Sequence, residues 1–158
     1  MKNFALFIHL IFVSILFVAC DRIQHSKISS FYEFADSEMV PGKEYLLCPF
    51  EENEAAKSDS LFSFKVSLRY SDKCRLKNFP VNVEISSLEA DSIINMFLEI
   101  PLFDEAGVRY GKGNFGIYES DHVLFRRRKI EEGECFTVST PEKNTAGIIS
   151  IGIIAEIE

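Results

Sequence analysis

Between residues 61 and 157 apolar and polar positions alternate, segment after segment. Phe62, Phe64, Val66, Leu68 and Tyr70 alternate with Ser63, Lys65, Ser67 and Arg69. Successive side chains of a strand point to opposite sides of its sheet, so this spacing predicts a strand with one buried face. Phe79, Val81, Val83 and Ile85 against Pro80, Asn82 and Glu84 predict a second strand, joined to the first by residues 71 to 78. Pro80 has no N–H to give to a ladder and belongs at the start of that strand or on an edge. Ile94, Met96, Leu98, Ile100 and Leu102 form the next set, opposed by Asn95, Phe97, Glu99, Pro101 and Phe103. Asp104 to Gly107 supplies turn chemistry before an extended stretch at 108–110, and further strands are predicted over 123–130, 134–139 and 148–157. Residues 87 to 95 are the best candidate for one short turn of helix. Short strands at about 10-residue spacing predict an all-β chain, an antiparallel β-sandwich of immunoglobulin-like or jelly-roll-like form with about seven or eight strands.

The N-terminus obeys different rules. Lys2 precedes an apolar run from Phe4 to Val18 broken only by His9 and Ser14, and Leu16-Phe17-Val18-Ala19-Cys20 closes it. This is signal-peptide architecture ending in a lipobox; the run is too short and too poorly flanked for a membrane-spanning helix. The expected organisation is a lipoprotein signal peptide over 1–19, a lipidated N-terminus and tether over 20–44, and a β-sandwich domain over 45–158. Cys20 is the expected lipidation site, the covalent lipid is the only group the chain is expected to carry, and no cofactor is implied. The diacylated or triacylated anchor that a resemblance to bacterial lipoproteins implies, at roughly 0.8 kcal/mol per buried methylene, would hold the chain on a bilayer where one acyl chain would not.

Charge narrows the partners. The net charge of −7 becomes −8 once the leader, with Lys2 and no acid, is removed. An acidic surface argues against nucleic acid and against adhesion to anionic lipid through basic side chains. Beyond Cys20, the cysteines Cys48, Cys74 and Cys135 allow one disulfide and one leftover thiol in an oxidising compartment, with three pairings open. No C-x-x-C occurs, so zinc ligation is not indicated, and small buried hydrophobes are the main expectation for all three.

Candidate chemistry is sparse. Residues 111 to 116 spell G-x-G-x-x-G, yet the segment after Gly116 is strand-like, and the dinucleotide fingerprint needs a helix N-terminus there. The glycines are expected instead to permit positive backbone dihedrals in a loop or bulge. Arg126, Arg127, Arg128 and Lys129 form the one dense basic cluster, a candidate docking patch. On a strand these side chains face alternate ways, and pairing with Glu131 and Glu132 competes with docking. His122 and its neighbour Asp121 fall on opposite faces of a strand and cannot act as base and orienting group. Trp is absent, and Phe is expected to be buried by the strand pattern, which weakens a carbohydrate-binding reading.

The order of motifs from Leu61 onward resembles the gliding-motility lipoprotein family GldH of the Bacteroidota. The matching elements are Leu68-Arg69-Tyr70, Asn78-Phe79, Asp104 to Gly107, Gly111-Lys112-Gly113, Ile117-Tyr118-Glu119, Glu132 to Phe136, Gly147-Ile148 and Ile151-Gly152-Ile153, with the lipobox ahead of them. The resemblance implies a non-enzymatic lipoprotein, with no defined catalytic residue, serving a motility machine coupled to the phylum's own protein-secretion system. Its expected partners are other envelope, motility or secretion proteins. Gly111, Lys112, Gly113 and Glu119 are the loop where a partner is expected. In that phylum acidic runs close behind the lipidated cysteine mark export to the cell surface; none stands behind Cys20, so a periplasm-facing anchor in the cell envelope is expected. The alternative function is a glycan- or peptide-binding sandwich.

Overall fold

A computed structural model describes residues 27–50, 60–87, 93–131 and 133–158. The leader, Cys20 and most of the candidate helical turn lie outside the described residues. Among the described residues nine strands are present: β1 (Lys27–Glu33), β2 (Tyr45–Leu47), β3 (Phe62–Ser71), β4 (Asn78–Ser86), β5 (Ile94–Pro101), β6 (Lys112–Asn114), β7 (Ile117–Arg128), β8 (Cys135–Ser139) and β9 (Ile148–Ile157). One five-stranded sheet has the order β1-β9-β3-β7-β6, and a four-stranded sheet has β2-β8-β4-β5.

The pairing obeys a simple rule. β1 pairs with β9, β2 with β8, β3 with β7 and β4 with β5, all antiparallel. The first half of the chain is thus laddered onto the second half in reverse order. Further ladders between β3 and β9 and between β4 and β8 roll this long ribbon into two facing sheets. That is the topology of a jelly roll, one of the two sandwich forms the spacing allowed. Phe64, Leu68, Phe79, Val81, Val83, Phe136, Val138, Ile151 and Ile153 meet between the sheets, fully shielded from solvent. Each such side chain contributes roughly 1.5–3 kcal/mol by leaving water.

The structure departs from the sequence pattern in four places. The tether expected through residue 44 enters the fold at residue 27, because β1 pairs with β9 along its whole length and Phe34 and Met39 are buried. β1 is an edge strand held by its ladder, so it shows little apolar alternation. β3, predicted to bury one face, is covered on both: Ser63 and Ser67 on its polar phase are buried as well. Phe31 lies across Gly152, where an added Cβ would sit 2.3 Å from the ring, and Arg69 covers Phe31 with its guanidinium 5.2 Å from the ring centre. The stretch 108–110 makes only an isolated bridge, Phe103 to Arg109, and β7 begins at Ile117 rather than near Val123.

Cys48 and Cys135 form a disulfide across β2 and β8, with Cα atoms 4.4 Å apart. Cys74 is a free, buried thiol. Of the three pairings the sequence left open, this is the one made. The expectation of small buried hydrophobes suits Cys74 and is corrected for the other two.

Candidate functional site: a braced hairpin at one end of the sandwich

The residues expected to form a partner loop come together in the β6–β7 hairpin. Lys112 stands opposite Glu119, Gly113 opposite Tyr118 and Asn114 opposite Ile117, leaving Phe115 and Gly116 as a two-residue loop. Both have positive φ, 55° and 79°, as a primed hairpin turn requires. Asn, Asp or Gly is favoured at the first of these positions, because a side chain in the left-handed region crowds its own backbone. Here the residue is phenylalanine, and its side chain is fully exposed.

The preceding glycines allow the close approach of the two strands. Gly111 has φ +93°, and a Cβ there would lie 2.0 Å from the Glu119 carbonyl oxygen. Gly113 has no positive φ, which corrects the expected dihedral role; a Cβ would instead meet the Ile117 carbonyl oxygen and the Tyr118 ring at 2.6 Å. Glu119 is already engaged, accepting from Arg69 Nε at 2.8 Å. Lys112 lies beside it on the rim of a groove shared with Lys65, Asp121 and Glu156.

A residue that sequence reasoning passed over braces this end. The Arg109 guanidinium lies 4.5 Å from the Phe103 ring centre, 5.0 Å from that of Tyr118 and 5.8 Å from that of Tyr70. Arg109 also donates to the carbonyls of Asp72 at 2.9 Å, Cys74 at 3.3 Å and Ser71 at 3.4 Å. The Tyr70 hydroxyl donates to the carbonyls of Leu102 and Tyr110, at 3.0 and 2.6 Å. The Asp72 N–H donates to the Gly116 carbonyl at 2.9 Å, which ties the braced turn to the hairpin tip. Burial pushes the Tyr70 hydroxyl and the Cys74 thiol above their ordinary ranges, and Arg109 partly opposes both shifts. A lone cation after a turn gives no one-dimensional sign that three rings will gather round it.

The basic run divides. Arg126 and Arg127 are exposed, the latter with φ 53°. Arg128 turns inward, donating to the fully buried Glu134 carboxylate at 2.5 Å, with Glu131 3.7 Å away. Its guanidinium stacks on Phe125 and Phe64 at 5.2 and 5.8 Å. Burial pushes the Glu134 carboxyl up, against the opposing pull of Arg128. The candidate docking patch therefore reduces to Arg126 and Arg127, while Arg128 belongs to the core edge. His122 pairs with Val66 and Asp121 with Ser67, at successive register positions whose side chains point to opposite faces.

Among the described residues, no group of three or more His, Cys, Asp and Glu is placed to hold a metal ion, and no helix is long and apolar enough to cross a membrane. No family model matches the chain, and no curated protein matches it. Among solved structures it is similar to the PRD1 vertex protein P5, with 6% identity, a TM-score of 0.40, and 84% of this chain and 96% of that chain covered. It is also similar to the Eiger TNF from S. frugiperda, with 12% identity, a TM-score of 0.31, and 84% and 92% covered. Likenesses at these TM-scores carry no inference for this chain.

Proposed function

We propose that the chain is a non-enzymatic envelope lipoprotein, anchored through a lipid on Cys20 and facing the periplasm, whose jelly roll is an interaction component of a gliding-motility or associated protein-secretion assembly. The lipobox and the ordered GldH-like motifs support it. The observation that carries it is Phe115, a large apolar side chain held fully in solvent at a backbone position that disfavours it. Strain of this kind, roughly 1–3 kcal/mol, persists where surrounding structure enforces it, and it is concentrated at functional sites.

Placement adds a direction. Lys27 pairs with Glu156 at the end of the sandwich where Phe62 meets Ile157, whereas the hairpin tip lies beside Ser71 and Asp72 at the other end. The ten residues of β3 separate these ends by about 30 Å. Six residues lie between Cys20 and Lys27 and span at most about 24 Å. A chain anchored at Cys20 thus carries Phe115 at the end of the sandwich opposite to where the anchored segment enters it. In a deletion strain, Phe115→Ser at matched protein level is expected to fail to restore motility or secretion, although it folds. Full complementation by that variant, or unchanged motility and secretion on deletion, would contradict the proposal. Cys20→Ala is expected to abolish labelling by a palmitate analogue.

A further inference from the structure

The outward faces of the two sheets differ in how their side chains are used. On the five-stranded sheet several are engaged with one another: Lys65 pairs with Glu156, Arg69 with Glu119, and Arg69 covers Phe31. On the four-stranded sheet the register sets Ser139, Asn82 and Phe97 in one cross-strand row and Thr137, Glu84 and Asn95 in the next. The five polar side chains of these rows have no hydrogen-bond or ion-pair partner among the described residues. Together with Glu44 they line a groove of about 410 Å³.

The lining specifies a chemistry. Phe97 stands on the polar phase of β5, as the alternation placed it, and is 60% exposed. An exposed ring offers a flat apolar face. Around it, amides and hydroxyls both donate and accept hydrogen bonds, while the Glu84 and Glu44 carboxylates accept only. No Lys or Arg lines the groove, so nothing there compensates a phosphate, sulfate or uronate. A ligand that fits has an apolar face edged by hydrogen-bond donors and carries no anionic group, and sugar hydroxyls supply such donors. The Cys48–Cys135 disulfide lies two positions along β8 from Thr137 and ties the end of the short β2 to the start of β8 beside the groove.

We propose that this face binds a neutral oligosaccharide, with a pyranose ring stacked on Phe97 and its hydroxyls held by Asn82, Glu84 and Asn95. The site is on the other sheet from the β6–β7 hairpin and does not depend on what Phe115 contacts. The test uses the full chain in detergent, first against immobilised neutral gluco-, manno-, xylo- and chito-oligosaccharides with uronic and sulfated oligosaccharides alongside, then by calorimetry with the best probe. At least one neutral oligosaccharide is expected to bind, with affinity lowered tenfold or more by Phe97→Ala and by Asn82→Ala, retained by Phe97→Tyr, and unchanged by Phe115→Ser. Both truncations lie on a solvent face, so unfolding midpoints are measured for each; if Phe97→Ala lowers its midpoint, Asn82→Ala decides. Absence of binding to every neutral probe, binding of charged probes alone, or binding indifferent to the deciding variant overturns the proposal.

Discussion

Single residues in this chain separate cleanly into those that hold the fold and those that are free, and neighbours in sequence fall on different sides of that line. Arg128 and Arg126 are two positions apart. Truncating Arg128 to Ala leaves the Glu134 carboxylate, wholly buried, without its cation, and breaking such a pair from one side costs about 3–5 kcal/mol. Arg126→Ala, at an exposed position, is expected to change stability by no more than about 0.5 kcal/mol. Urea unfolding of the two variants checks both values. Cys74 provides a pH test. Its folded pKa is raised above 9.0 by burial, so the stability linked to it is fully present below pH 9.0 and is lost as pH rises through the higher folded value. Wild type is therefore expected to weaken as pH rises above 9.0, and Cys74→Ala to weaken less, with Tyr70 contributing above 10.0. Equal losses in the two proteins would contradict that assignment.

Among the elements, the legible ones are those whose burial has a period of two. β4 and β8 were readable because each has one face in the core and one in solvent. β1 and β6 were not. Lys112-Gly113-Asn114 offers no alternation at all, and its existence depends on Gly111 and Gly113 clearing the backbone of β7. The glycine motif was visible in the sequence, but its two purposes, left-handed φ at Gly111 and bare space at Gly113, appear only when β7 lies alongside. The tip of this hairpin predicts a trade-off. Phe115→Asn installs the residue the turn prefers and is expected to raise stability by about 1 kcal/mol, while removing the exposed ring proposed to meet a partner. A higher melting midpoint with impaired complementation is the expected pair of results. Within β3, the buried Ser67 hydroxyl has no hydrogen-bond partner among the described residues, so Ser67→Ala is expected to stabilise the fold or leave it unchanged in the same melting experiment.

On the scale of the molecule, the class of fold was readable from strand spacing, whereas its topology was not, since the reversed ladder of β1–β4 on β5–β9 depends on pairings between residues far apart in sequence. The same holds for the disulfide. Cys48 and Cys135 are 87 residues apart, and closing a loop of that size stabilises the folded chain by roughly 4 kcal/mol through the unfolded state. Cys48→Ser is accordingly expected to lower the unfolding free energy by about that amount, and reduction of the wild type to do the same. Under the proposed lipid anchor, chain entry at one end and the braced hairpin at the other would let the jelly roll present its hairpin tip. The most direct measurement is site-specific photocrosslinking in native membranes, with the crosslinker placed at position 115 in one strain and at the exposed position 126 in another. Adducts with an envelope protein from position 115 and not from 126 are the predicted result. Adducts with lipid alone from position 115, or the same protein adducts from both positions, would contradict the assignment of the hairpin tip as the partner contact.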